Sequence, residues 1–135
     1  MKGLFVAVCG FVAIACGPQG DPIKVPTTIW TPIGSWSGKT SMQGETFGVD
    51  AQEWRIYWET KNETAPNAGT FAVHLHSGDS GRTLATPLRT TGVGKGVVLV
   101  TEPPRPNFYL SFEAANIEWS VRIEEPVAAE RTITP

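Results

Sequence analysis

The chain has 135 residues, of which 41% are apolar, and its formal net charge is −2. This length allows one domain with a hydrophobic core and is too short for two. Its lysines and arginines are scattered singly, with no adjacent pair, whereas a surface that follows phosphates needs clustered cations, so a nucleic-acid partner is excluded.

The N-terminal segment has the features of an export signal. Lys2 supplies a single positive charge, and residues 4–15 form an uncharged apolar run. This run is shorter than the roughly 20 residues that a membrane-spanning helix needs, and its length is typical of a cleaved secretory segment. Ala13 and Ala15 fit the small subsites of a signal peptidase. We therefore expect a signal peptide over residues 1–15.

The two cysteines of the chain, Cys9 and Cys16, have different predicted fates. Cys9 leaves with the signal peptide, so Cys16 becomes the first residue and the sole cysteine of the mature chain, which excludes an internal disulfide. The stretch Val12-Ala13-Ile14-Ala15-Cys16-Gly17 resembles the lipobox of bacterial lipoproteins, although Leu is commoner than Ala at position 13. The resemblance implies cleavage between Ala15 and Cys16 and a diacylglyceryl group on the Cys16 thiol, with fatty acyl chains such as palmitate.

The same resemblance implies an exported protein that is anchored by lipid to a bacterial membrane. Two or three acyl chains anchor a protein firmly, because each buried methylene contributes about 0.8 kcal/mol. Gly17, rather than Asp, follows the cysteine, which in that family favours the outer membrane of a Gram-negative host. Ala13 and Ala15 also satisfy an ordinary signal peptidase, so the alternative is a secreted, soluble protein with an unmodified Cys16.

A proline-rich stretch follows the predicted lipidation site. Residues 17–28 contain three prolines and little apolar content, a composition typical of an extended linker with polyproline II character. We expect residues 16–34 to tether the domain to the membrane. Within that region, residues 29–33 are predicted to form an edge strand, since Pro32 excludes a central position in a sheet. Residues 40–49 are a weaker strand candidate.

Alternating apolar and polar residues predict four stronger strands in the rest of the chain. They cover residues 53–59, 71–76, 108–112 and 117–124. Their predicted core-facing side chains are Trp54, Ile56 and Trp58; Phe71, Val73 and Leu75; Phe108, Leu110 and Phe112; and Ile117, Trp119, Val121 and Ile123. Residues 84–89 are a broken edge strand because of Pro87, and residues 97–100 are a short apolar strand. Pro126 is expected to end the last strand, which leaves residues 126–135 as a loose tail.

Seven or eight strands separated by Gly, Pro and Asn turns predict an all-β protein. The expected fold is an antiparallel β-sandwich of the jelly-roll or CUB-like kind over residues 35–125. The patterns Trp-x-Ile-x-Trp, Phe-x-Val-x-Leu, Phe-Tyr-Leu-x-Phe and Ile-x-Trp-x-Val-x-Ile resemble the small CUB-like domains of exported bacterial proteins. The disulfides and acidic calcium ligands of animal CUB domains are missing, so neither their calcium site nor their partners carry over.

No complete catalytic set is found along the chain, and no cofactor is implied. Residues 78–81 copy the Gly-Asp-Ser-Gly run around the nucleophile of chymotrypsin-like proteases. The only histidines, His74 and His76, lie just upstream of this run, a two-barrel protease needs a much longer chain, and Gly, Asp and Ser are common turn residues. The sequence therefore predicts a non-enzymatic binding or interaction module. Its expected partner is an envelope protein or a glycan.

Two alternatives remain open for the domain. His74 and His76 lie two residues apart on a predicted strand and leave the same face, a spacing that metal sites on β-scaffolds use, with Asp79 as the nearest third ligand. That pattern predicts a metal-binding or metalloenzyme domain, against which stands the interpretation of both histidines as solvent-facing polar residues. The second alternative is a carbohydrate-binding module whose sugar-stacking platform consists of Trp30, Trp36, Tyr57 and Tyr109.

Overall fold

A computed structural model describes residues 21–134 of the chain. These residues form nine β-strands: β1 Ile23–Gly38, β2 Met42–Gln43, β3 Phe47–Val49, β4 Trp54–Lys61, β5 Thr70–Ser77, β6 Thr83–Thr91, β7 Gly94–Val100, β8 Arg105–Ala115 and β9 Glu118–Ile133. No helix within this range is long and apolar enough to cross a membrane. The predicted signal peptide, the cleavage site and Cys16 lie outside the described residues.

The chain divides into two compact units. The larger unit is Thr28–Val127, and it contains the sandwich core and every site discussed below. The smaller unit comprises Met1–Thr27 and Ala128–Pro135, of which residues 21–27 and 128–134 are described. In the smaller unit, residues 23–27 and 128–133 are extended strand.

The strands form two antiparallel sheets. The first sheet has the order β1-β9-β4-β7, and the second has the order β2-β8-β5-β6, with β3 also pairing with β8. Because β2 and β3 pair with the same strand, they act as one interrupted strand. Consecutive strands are then neighbours in one sheet only at β5 and β6, and every other connection passes to the opposite sheet. This order is that of a jelly roll, and the predicted all-β antiparallel sandwich is confirmed.

The core lies between the facing sides of the two sheets, where the predicted alternation places it. Its fully buried large side chains include Trp54 and Ile56 of β4, Leu75 of β5, and Phe108 and Leu110 of β8. Burying one such side chain contributes about 1.5–3 kcal/mol relative to leaving it exposed. All the predicted core-facing side chains of these strands are buried except Trp58, which is partly buried and packs against the cluster.

Stacked aromatic rings join the two sheets. Trp119 of β9 stacks on Phe112 of β8 with ring centroids 4.4 Å apart, and on Phe71 of β5 at 5.3 Å. Trp54 of β4 meets Phe47 of β3 edge-on at 5.5 Å. Since such pairs have preferred geometries, they fix how one sheet lies over the other as well as burying area.

Proline positions explain where the strands differ from the prediction. The expectation that Pro126 ends the last strand is wrong, because β9 continues to Ile133. Its register with β4 stops at Glu124, so that pairing does not require an N–H from Pro126. Strand β1 begins at Ile23, inside the stretch predicted as linker, and it tolerates its prolines because it lies at a sheet edge. Pro87 is in the predicted edge strand, which is confirmed as β6.

Candidate functional site

Two rows of side chains cross the outer face of the first sheet, the side that points away from the core. Strand β4 lies between β9 and β7, and its register with both is continuous. Because side chains alternate between the two faces of a strand, the residues flanking Trp58 point outward. The rows are Arg122, Tyr57 and Val97, and Ser120, Glu59 and Lys95.

A groove with a volume of about 880 Å³ follows these rows. It is lined by three consecutive residues from each strand of the sheet: residues 35–37 of β1, 120–122 of β9, 57–59 of β4 and 95–97 of β7. In each triplet the middle residue is a core-facing one or a glycine, namely Trp36, Val121, Trp58 and Gly96. The floor is therefore largely backbone, and the flanking side chains form the walls. We call this feature the cross-strand groove.

The cross-strand groove changes in character along its length. At the β1–β9 end its outward side chains are small hydroxyls, from Ser35, Ser37 and Ser120. At the β4–β7 end it is lined by longer side chains, which are Tyr57, Glu59, Lys95 and Val97, and Arg122 of β9 faces Tyr57. Hydroxyls donate and accept hydrogen bonds, while Lys and Arg only donate. The groove can therefore hold a polar ligand by hydrogen bonds and charge pairing.

A network of cations and aromatic rings holds one wall of the groove in place. The guanidinium carbons of Arg122 and Arg55 lie 4.3 Å and 4.9 Å from the centre of the Tyr57 ring, and that of Arg55 lies 3.8 Å from the Trp30 ring. Arg55 Nε and Nη2 donate to Glu124 Oε1 at 3.2 Å and 2.9 Å. Arg122 Nε lies 3.2 Å from Glu124 Oε2. One nearly buried carboxylate thus fixes both guanidiniums that flank Tyr57.

The two histidines lie on the outer face of the second sheet, on its central strand β5. His74 Nδ1 lies 2.9 Å from Thr86 Oγ1 of β6, and His74 Nε2 lies 3.0 Å from Glu113 Oε1 of β8. Both ring nitrogens of this imidazole therefore already have a hydrogen-bonding neighbour. A metal ion bound at His74 has to displace one of them.

His76 repeats this arrangement two residues along the strand. Its Nδ1 lies 3.2 Å from Thr83 Oγ1 of β6, and its Nε2 lies 2.7 Å from Ser111 Oγ of β8. Its ring stacks on Tyr109 at 4.6 Å, and its centroid is 6.4 Å from that of His74. The two imidazoles leave the same face, as their spacing predicts, and each bridges β6 to β8.

Asp79, the predicted third metal ligand, forms its side-chain hydrogen bond with a residue other than the two histidines. Its Oδ1 accepts a hydrogen bond of 3.1 Å from Asn107 Nδ2, which joins the turn between β5 and β6 to strand β8. Between residues 21 and 134 no three His, Cys, Asp or Glu side chains are grouped so that they could hold a metal ion. The structure thus places the two histidines side by side, whereas Asp79 holds the turn between β5 and β6 against β8.

The four aromatic residues of the predicted sugar platform do not share one surface. Trp36 is only 9% exposed, packs in the core and donates its indole N–H to Glu45 Oε2 at 3.1 Å. Tyr109 lies on the second sheet, against His76. Trp30 and Tyr57 remain on the outer face of the first sheet, and both rings already contact Arg55. A platform of all four is therefore wrong.

Sequence patterns indicated which side chains leave the core, but not which of them meet. Glu59 and Arg122 stand at outward positions that alternation identifies, whereas Lys95 precedes the strand predicted over residues 97–100 and belongs to β7 in the structure. Only the register of β4 with β7 and β9 makes the three neighbours. Ser111 is an outward position of the predicted strand in the same way, whereas Glu113 follows the end of that prediction and lies in the longer β8 of the structure. Comparison of the chain with protein families and with curated proteins finds no match.

Proposed function

We propose that this protein is a lipid-anchored lipoprotein of the bacterial cell envelope whose β-sandwich is a non-catalytic binding module. The observation that carries the binding role is the cross-strand groove, which has a volume of about 880 Å³ and a floor formed largely by backbone. Its volume falls in the range of small-molecule sites, roughly 300–1,000 Å³. The lipobox-like stretch ending at Cys16 supports the anchor.

The walls of the groove favour an acidic glycan as its ligand. Lys95 and Arg122 provide two cations against the single carboxylate of Glu59, so the lining has a net positive charge in a chain whose formal net charge is −2. The serine hydroxyls at the other end suit the hydroxyl groups of sugar residues, because each can donate and accept. The alternative partner is a loop of an envelope protein that carries acidic side chains and hydroxyl groups.

Binding is tested with the purified protein against acidic and neutral envelope polysaccharides by calorimetry. Lys95→Glu reverses one wall charge, and we expect it to weaken binding of the acidic glycan at least tenfold, which is about 1.4 kcal/mol. Arg89→Glu, the same change at an exposed residue of β6 on the other sheet, serves as the matched control and should change affinity less than twofold. Equal losses in both variants, or no glycan binding, would contradict the glycan proposal.

The anchor is tested by mass spectrometry of the mature N-terminus from isolated membranes. The expected species begins at Cys16 and carries a diacylglyceryl group. Cys16→Ser should move the protein from the membrane fraction to the soluble fraction. An unmodified Cys16, or a chain that retains its first 15 residues, contradicts the lipoprotein proposal and leaves the groove proposal standing.

A second candidate function is metal binding at the histidine pair. It is favoured by two imidazoles that leave the same face of β5 with ring centroids 6.4 Å apart, although no third His, Cys, Asp or Glu side chain between residues 21 and 134 is grouped with them as a metal ligand. Titration with Zn²⁺ tests it directly, with His74→Ala plus His76→Ala as the decisive variant and Asp79→Asn as the comparison. Equal Zn²⁺ affinity in the wild type and in the double variant excludes this function.

A further inference from the structure

Three of the four sheet edges in the described range are interrupted. Strand β1 contains Pro26 and Pro32. Strand β6 contains Pro87, and its register with β5 shifts twice. The other edge of the second sheet, beside β8, is split into β2, which has two residues, and β3, which has three. Strand β3 also shifts its register against β8. Prolines, bulges, short strands and charged side chains, lysine above all, are the usual means by which an edge avoids pairing with another chain.

The remaining edge, β7, has only one of these features, the single charged residue Lys95. It contains no proline and pairs with β4 without interruption from Gly94 opposite Thr60 to Val100 opposite Trp54. As far as residues 21–134 show, β4 is its only neighbour in the sheet. A regular strand of seven residues therefore offers one side for further pairing.

The outward side chains of β7 add an apolar surface to this open edge. Val97 is 54% exposed and Leu99 is 52% exposed, and they stand on the same face two residues apart. The single charged residue of the strand is Lys95, which shares that face. An exposed, regular and largely apolar edge strand is the feature by which a sheet accepts an added strand.

We infer that β7 pairs antiparallel with β7 of a second copy of this chain, about a two-fold axis at Val98. The two four-stranded sheets then join into one sheet of eight strands. In this register Val97 lies opposite Leu99 of the second copy, and Leu99 lies opposite its Val97. Lys95 lies opposite Thr101 of the second copy and therefore does not meet its own counterpart.

The sequence of β7 favours a second copy because it is complementary to itself in this register. With the axis at Val98, each exposed apolar side chain meets an apolar one, as an isologous interface requires. Moving the axis by one residue to Val97 places Lys95 opposite Leu99 and removes one of the apolar pairs. The small net charge of −2 per chain adds little repulsion between two copies.

Dimerisation through β7 bears on the groove, although it does not depend on what the groove binds. A two-fold axis through an antiparallel strand pair runs perpendicular to the sheet, so the outer faces of both copies lie on one side. Both cross-strand grooves then face the same direction. A repeating polymer can occupy two such sites at once, which raises its apparent affinity without any new contact.

The test uses the full mature chain with Cys16→Ser, so that acyl chains do not cause association, and measures its mass by sedimentation equilibrium. The wild-type strand should give a dimer. Val97→Asp alone and Leu99→Lys alone should each raise the dimer dissociation constant at least tenfold. The double variant Val97→Asp plus Leu99→Lys should restore the dimer, because opposite charges then face each other twice across the axis.

The control is Met42→Asp, which changes an exposed apolar residue at a different edge, on β2, and should leave the dimer intact. A monomer at all concentrations overturns the inference and leaves a strand from another protein as the occupant of β7. A dimer that Met42→Asp weakens as much as Val97→Asp does also overturns it. If both single variants weaken the dimer and the double variant does not restore it, the register with its axis at Val98 is overturned.

Discussion

Trp36 shows how one side chain connects the core with a surface charge. Its indole packs against Phe112 at 5.6 Å between ring centroids, and it donates a hydrogen bond to Glu45. A Cβ atom placed on Gly44 would lie 2.8 Å from the indole nitrogen, and one on Gly34 would lie 3.0 Å from the far end of the ring. Two glycines thus provide the space for the only tryptophan of β1 that is buried.

Gly44→Ala is therefore expected to destabilise the protein by about 1–3 kcal/mol, the usual cost of adding a methyl group to a well-packed site. The measurement is urea unfolding followed by tryptophan fluorescence. Gly94→Ala is the matched control, since its added Cβ would meet the nearest atom of Trp58 at 3.5 Å, an ordinary contact. If both variants unfold at the same urea concentration, the Trp36 indole is not held as tightly as the structure indicates.

The Trp36–Glu45 hydrogen bond also predicts a pH dependence of stability. The indole N–H, followed by the backbone N–H of Glu45 itself, holds the pKa of the Glu45 carboxyl below its ordinary value, and slight burial opposes this. A carboxyl with a lowered folded-state pKa stabilises the fold above its unfolded-state pKa, about 4.3. That contribution is lost as the pH falls through the folded-state pKa.

Glu45→Gln should therefore reduce stability more at neutral pH than in acid, with the difference from wild type shrinking below about pH 4.3. Urea unfolding at a series of pH values measures it. In a Trp36→Phe background, which removes the N–H donor, the same substitution should show a smaller pH dependence. A constant difference across the whole pH range would show that Glu45 titrates in the folded state as it does in the unfolded chain.

At the scale of the strands, Glu124 links two arginines that differ in how firmly they are held. The side chain of Arg55 is 25% exposed and donates twice to Glu124, whereas that of Arg122 is 52% exposed and makes a single contact. Hydrogen bonds to charged groups contribute about 1.5–3 kcal/mol, and exposed ion pairs contribute about 0–1 kcal/mol. The two arginines should therefore differ in their importance for stability.

We expect Arg55→Met to destabilise the protein by about 1–3 kcal/mol and Arg122→Met by less than about 1 kcal/mol. The comparison keeps the substitution the same, and both positions face the same side of the first sheet. Chemical denaturation of the two variants side by side measures the order. A larger loss for Arg122→Met would mean that Arg122, and not Arg55, is the main partner of the Glu124 carboxylate.

The strands that alternation predicted best are those with one face in the core. Phe108, Leu110 and Phe112 of β8 are buried, as are Trp119 and Val121 of β9, because burial of one face imposes a period of two on the sequence. Strand ends were predicted less well. A proline indicates a lost N–H but not whether a neighbouring strand needs that N–H, and this is why the prediction at Pro126 was wrong.

The candidate site could be predicted from the sequence less completely than the fold could. Outward residues carry no period that distinguishes a groove wall from an ordinary surface, and the neighbours of Tyr57 depend on which strands pair with β4. The paired histidines were a local pattern and were therefore visible, whereas Glu113, which lies 39 residues further along the chain from His74, was not. Contacts between distant strands require the register, which a single sequence does not specify.

For the whole molecule, the main question is whether the two sheets unfold together. Phe112 of the second sheet lies within 5.6 Å of Trp36 and 4.4 Å of Trp119, both on strands of the first sheet, and stacks on Phe71 of its own sheet. Neither sheet can bury its inner face without the other, because the core cluster takes its members from both. The unit Thr28–Val127 should therefore unfold in one cooperative transition.

Phe112→Leu tests this cooperativity at the point where the sheets meet. It should destabilise the protein by about 1–3 kcal/mol and shift the urea transitions measured by tryptophan fluorescence and by far-UV circular dichroism by the same amount. Val93→Ala, at a side chain that is 60% exposed, should change stability by less than about 0.5 kcal/mol. Fluorescence and dichroism transitions that separate in Phe112→Leu would mean that one sheet keeps its strands after the aromatic contacts between the sheets are lost.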